Sequence, residues 1–171
     1  MKHLYSFLFL CILSGSSWTI GAYDKDELEK LWNECQECTT VVTLSRGGCY
    51  GSCPVFSLYI VSDGSSLNLG QYIGQANTLL VGEFYLVLTN NQLEAIHHEF
   101  ERIDFFSIPK KCCDCLDVTD LSSTTITYSA DYKTHRIHNY WGCLSSDDWG
   151  RKLRELEERI LGIVGIPQFS Y

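Results

Sequence analysis

Val55-Phe56-Ser57-Leu58-Tyr59-Ile60-Val61, running on into Ser62-Asp63-Gly64, decides how this chain folds. Phe56, Leu58 and Ile60 fall on one side of an extended chain and Ser57 and Tyr59 on the other, the period-two pattern of a strand with one face in a core. Asp63-Gly64 supplies the turn. Leu67, Leu69 and Ile73 then set the expected apolar face of a returning strand, so the segment reads as an antiparallel hairpin whose outer face carries Tyr59 and Tyr72.

Working outward, Thr39 to Ser45 is β-branched and reads as a strand stopped by Arg46-Gly47-Gly48, and Gly82 to Leu88 adds another through Phe84, Leu86 and Leu88. Thr124 to Ala130 and Lys133 to Trp141 form a second hairpin around Asp131-Tyr132. Asp24 with Glu27 makes a capping box for a short acidic helix over 25–34, and Thr89 with Gln92 makes one for a helix over 90–103 carrying Leu93, Ile96, His97, Phe100 and Ile103. Ser145 with Asp148 caps a last helix. Its apolar stripe is Trp149, Leu153, Leu156, Ile160 and Val164, and its solvated face carries Arg151, Lys152, Arg154, Glu155, Glu157, Glu158 and Arg159. The fold class is therefore α+β: a single two-layer domain, mainly an antiparallel sheet of about five to six strands covered on one face by two amphipathic helices.

The 171 residues hold 13 basic and 21 acidic side chains, a net charge of -8, and 9 cysteines. An acidic balance argues against a nucleic-acid binder, because phosphate affinity comes from clustered Lys and Arg. Lys2 and the apolar run Leu4 to Leu13, followed by Ser14-Gly15-Ser16-Ser17 and Gly21-Ala22, read as a signal peptide over 1–22. The run is half the length of a bilayer span, and no other apolar run approaches that length. Removing 1–22 takes away Lys2 and Cys11, leaving a single disulfide-stabilised domain over 23–171 with 12 basic and 21 acidic side chains and 8 cysteines. The expected location is secreted or extracellular, or periplasmic in a bacterium.

The eight thiols are Cys35, Cys38, Cys49, Cys53, Cys112, Cys113, Cys115 and Cys143. An even set in an oxidising compartment reads as a disulfide framework whose full connectivity the sequence leaves open. Cys49 with Cys53 is the favoured pair, since the Gly-bearing segment between them brings their α-carbons close enough for a bridge. Zinc held by Cys35, Cys38 and two of Cys112, Cys113 and Cys115, or Cys143, is a second reading, against which stand the irregular distant spacing and the compartment. Dithiol exchange at Cys35-Gln36-Glu37-Cys38 is a third. That chemistry wants a thiolate at a helix amino terminus, whereas these cysteines follow a helix and neighbour Glu34 and Glu37.

Around this loop the chain resembles a family of exported domains of unknown function recognised by Cys-x-Gly-x-Cys-Pro, a small residue and an aromatic. Here the motif is Cys49-Tyr50-Gly51-Ser52-Cys53-Pro54-Val55-Phe56. The similarity continues from about Thr40 to about Leu161, through the Gly82 strand, the Leu93 to Phe100 helix, Asp120 and the final helix. The family usually has tyrosine where Phe56 stands, and the other six mature cysteines lie outside its pattern. The resemblance implies a compact α+β domain outside the cytoplasm and brings no activity with it.

No catalytic, cofactor-binding or metal-ligating residue is assigned from the sequence. His97 and His98 diverge by about 100° on a helix, and His135 and His138 lie on opposite faces of a strand, so neither pair suits a metal. Gly-x-Ser-x-Gly, His-Glu-x-x-His and phosphate-loop patterns are missing from the sequence. Arg46-Gly47-Gly48 offers backbone amides to an anion or forms a plain turn. Tyr128, Tyr132, Tyr140, Trp141 and Trp149 gather near the second hairpin, as a stacking surface or as packing. The expected function is a non-catalytic binding or interaction module for an extracellular protein or glycan, with no nucleic acid, no cofactor and no membrane span in the mature chain. The alternative is a thiol redox or zinc-binding protein using Cys35, Cys38 and the Cys112 cluster.

Overall fold

The computed structural model describes residues 24–35, 37–110, 120–142 and 148–167. The segment 1–22 read as a signal peptide and Cys112, Cys113, Cys115 and Cys143 lie outside them. In chain order the elements are α1 (Lys25–Glu34), β1 (Thr39–Arg46), β2 (Val55–Ser62), β3 (Asn68–Ala76), β4 (Gly82–Leu88), α2 (Asn90–Arg102), a 3-10 turn (Phe105–Ser107), β5 (Ser123–Ala130), β6 (Lys133–Tyr140) and α3 (Trp149–Ile163). The strands make one open antiparallel sheet in the order β4-β3-β2-β1-β5-β6. The α+β reading holds.

The inner face carries Leu44, Phe56, Leu58, Ile60, Tyr72, Ile126 and Ile137, and α2 and α3 cover it with Ile96, Phe100, Leu153, Leu156 and Ile160 in a single core. Alternation places these residues together, as the sequence pattern of β2 requires. β3 departs from the expectation by one residue. Ser62 pairs with Asn68 and Leu58 with Tyr72, so Tyr72 is fully buried inside the sheet while Leu69 and Ile73 point to the outer face. Tyr72 sits 5.6 Å from the Phe56 ring and 6.4 Å from that of Phe84. Glycines flank it on β3 and let other segments approach closely: a Cβ on Gly70 would meet Leu88 at 3.1 Å, and one on Gly74 would overlap the Leu80 carbonyl oxygen at 1.8 Å.

The outer face is covered in part by α1, which packs on β4 with Trp32 6.2 Å from the Tyr85 ring. Leu28 of α1 and Leu69 are buried yet stand apart from the main core. The capping expectations divide. Thr89 accepts from Gln92 N–H and the Gln92 side chain accepts from Thr89 N–H, a complete capping box. Asp24 and Asp148 stand at helix N-caps without capping through their side chains, Asp148 spends its carboxylate on Arg151, and Ser145, the expected cap of the last helix, lies outside the described residues. Asp131 and Tyr132 both have positive φ (50° and 60°), the two-residue turn that matches the twist of a hairpin. No described helix is long and apolar enough to cross a membrane.

Candidate functional site

The sheet register brings Gly74, Phe56, Arg46, Thr124 and Asn139 into one row across β3, β2, β1, β5 and β6. Beyond that row three connections meet at one end of the sheet: 47–54, 77–81 and 120–122. Cys49 and Cys53 are disulfide-bonded there with α-carbons 5.6 Å apart. Tyr50 N–H donates to Asp120 O at 3.0 Å, Gly47 N–H to Ser123 O at 2.8 Å, and Ser122 Oγ to Gly47 O at 2.6 Å. Asn77 Nδ2 donates to Cys53 O at 3.2 Å, and Thr78 Oγ1 to Leu80 O at 2.7 Å. The loops are thus tied to one another and to the sheet. They nevertheless display Tyr50 (92% exposed), Leu79 (64%), Val81 (65%) and Leu121 (42%). The Gly47 amide is spent on Ser123 and the Arg46 side chain turns inward, so neither is offered to an anion.

Beneath these loops lies a buried charge pair that the sequence reading put on the solvated face of α3. Glu157 is fully buried and its Oε1 is 2.7 Å from an Arg46 guanidinium nitrogen. Trp141 Nε1 donates to Thr124 Oγ1 at 3.0 Å, and Thr124 Oγ1 donates to Glu157 Oε2 at 2.9 Å. The guanidinium also lies 4.1 Å from the Trp141 ring centre and 5.7 Å from that of Phe56. Burial raises the Glu157 carboxyl above the usual carboxylate range, opposed by Arg46 and the Thr124 hydroxyl. Asn139 is buried alongside, and its amide finds no hydrogen-bond partner among the described residues. An arrangement so enclosed positions the sheet against α3; it offers no reacting group to a solute.

The histidines separate as their spacing requires. His97 on α2 is half-buried, with Nδ1 2.8 Å from the Tyr128 hydroxyl. Burial lowers the His97 pKa and pushes Tyr128 up to about 12. A neutral imidazole and a neutral phenol therefore share this hydrogen bond. His98 is exposed beside Glu101. His135 faces inward with Nε2 2.7 Å from Ile108 O, while His138 faces outward against Thr125. The aromatic gathering does not form one surface. Tyr128 is buried and stacked on Phe100 at 3.9 Å, Trp141 covers the charge pair, Trp149 packs on the core, and Tyr140 accepts from Leu121 N–H. Tyr132 alone of the five is fully exposed, at the opposite end of the sheet.

Cys35 and Cys38 are also disulfide-bonded, with α-carbons 5.3 Å apart. They follow the carboxyl end of α1, where the helix dipole disfavours a thiolate. Among the described residues no group of three or more His, Cys, Asp or Glu is placed to hold a metal ion.

No curated protein and no solved structure matches the chain. One family model does, over residues 40–164, which is 125 of the 171 residues and spans β1 through α3. The chain belongs to that family, described as a domain of unknown function (DUF6438).

Proposed function

We propose that this chain is an exported, disulfide-stabilised interaction module that binds a protein through the loop end displaying Tyr50, Leu79, Val81 and Leu121, without transforming it chemically. The observation that carries the reading is Tyr50: 92% exposed, yet held in a loop closed by Cys49–Cys53 and anchored through its own N–H to Asp120. Apolar side chains left in water on a fixed loop mark an interaction site, because the ordering entropy that association normally costs has been met in folding. Tyrosine suits such a place, offering a large rigid ring and a hydroxyl. Export follows from the leader over 1–22, with 23–171 as the mature domain and the eight later cysteines as its disulfide complement. The redox or zinc reading rests on Cys35, Cys38 and the Cys112 cluster, and the position of the first pair at the wrong end of a helix speaks against it.

A photocrosslinking residue tests the proposal. Tyr50→p-benzoylphenylalanine and Tyr132→p-benzoylphenylalanine variants, disulfides intact, are irradiated in the extracellular fluid of the source cells. A discrete protein adduct from position 50 that position 132 does not give is expected. No adduct, the same adducts from both positions, or an adduct that glycan-cleaving enzymes remove would overturn it.

A further inference from the structure

An open sheet has two edges, and here they are built differently. β6 carries Lys133 and Arg136, and the chain at 108–110 runs beside it: His138 N–H donates to Lys110 O at 3.0 Å, and His135 Nε2 to Ile108 O at 2.7 Å. Cationic side chains and a covering segment are how natural sheets protect an edge from further pairing. β4 has neither. Its sequence, Gly-Glu-Phe-Tyr-Leu-Val-Leu, holds no proline, lysine or arginine, and it pairs with β3 without a bulge from Gly74↔Gly82 to Asn68↔Leu88. Among the described residues no segment hydrogen-bonds to its free side. Every second residue of β4 therefore presents an N–H and a C=O outward.

The surroundings specify the guest. On the inner face a strand laid beside β4 would continue the sheet next to Phe84 and Leu86, both half-buried and packed at the margin of the core, so that side calls for apolar residues. On the outer face it would lie beside exposed Glu83 and near α1, which packs on β4 and in which Asp26, Glu27, Glu29 and Glu34 outnumber Lys25 and Lys30, with Glu29 close enough to act on the Tyr85 hydroxyl. That side calls for positive charge. A second copy would instead bring two acidic helices together, in a chain whose net charge is already -8.

We propose that β4 is a docking edge for an extended segment of another protein whose side chains alternate apolar and basic, added to the sheet as a further strand. The proposal rests on the interaction-module reading and uses the backbone edge of β4, which begins at Gly82 directly after Val81 of the loop end.

Three seven-residue peptide probes decide it, titrated into the oxidised chain with fluorescence anisotropy and backbone amide NMR: alternating valine and lysine, alternating valine and glutamate, and the lysine peptide with a central proline. The lysine peptide is expected to bind about tenfold more tightly than the glutamate one, with amide shifts concentrated at 82–88. The proline-bearing peptide should show no saturable binding, since it cannot complete the ladder. Glu83→Lys should shrink the preference at least about threefold. Equal affinity for the lysine and glutamate peptides, binding unaffected by proline, or shifts elsewhere would overturn the proposal. So would concentration-dependent shifts at 82–88 in the protein alone, which would assign the edge to a second copy. Loss of peptide binding with the Tyr50 adduct intact removes only the edge; the reverse result removes only the loop surface.

Discussion

Glu157 lies about 40° from Leu153 around a helix that turns 100° per residue, at the edge of the arc that also holds Ile160 and Val164. The sequence therefore carried a sign of its burial. A neighbouring run of charges, from Arg151 to Arg159, obscured it, because a carboxylate among charges reads as solvated unless its cation is known. The cation, Arg46, lies 111 positions earlier and meets Glu157 only when β1 packs beneath α3. Removing one partner strands the other in a dry environment, so Glu157→Ala should cost about 3–5 kcal/mol in denaturant unfolding. The paired replacement Arg46→Met with Glu157→Leu should recover most of that loss, because two buried charges and their desolvation disappear together. A double variant no more stable than the single one would show that the pair contributes more than it costs to bury.

Among the elements, the helix on the far side of the sheet shows how far local patterns reach. The capping boxes at Asp24/Glu27 and Thr89/Gln92 look equivalent in sequence, but only the second forms. Thr89→Ala should consequently lower stability by about 1 kcal/mol and Asp24→Ala by no more than a few tenths, a contrast read from urea midpoints measured side by side. Equal losses would mean that Asp24 caps α1 after all. The hairpin of β2 and β3 teaches the same lesson. Its existence is legible from alternation and from Asp63-Gly64, but the facing of β3 is not: Leu69 and Ile73 are the more apolar set, whereas Tyr72 goes inside, between Gly70 and Gly74, which leave the space that Leu88 and Leu80 fill. Composition favours one face; packing of β3 against its surroundings selects the other.

For the molecule as a whole, pH dependence reports on how α2 is joined to the sheet. The folded state depresses the His97 pKa, so the stability of its neutral form is complete above the ordinary histidine value of 6.5 and is lost as pH falls below it. Tyr128, raised to about 12, behaves in the opposite sense, its contribution being complete below 10 and lost as pH climbs from 10 toward 12. Tyr128→Phe should make the alkaline fall in urea midpoint shallower, with raised Tyr72 and Tyr85 supplying the remainder, and should leave the acid fall in place. An unchanged alkaline limb would count against the burial of that hydroxyl. Sequence by itself determined the α+β class, the strands and the long helices, because period two and period 3.6 are written in neighbouring residues. It also brought Cys49 and Cys53 within reach of one another, since four positions of a Gly-bearing turn leave the chain little choice. Only the tertiary structure decided that α1 covers part of the outer face, that Arg46 and Glu157 meet, that Tyr128 is buried while Tyr50 is not, and that among the described residues β6 is guarded while β4 is open. Each of those depends on which distant segment packs against which face, and that is settled by strand order and by the space between side chains, not by local pattern.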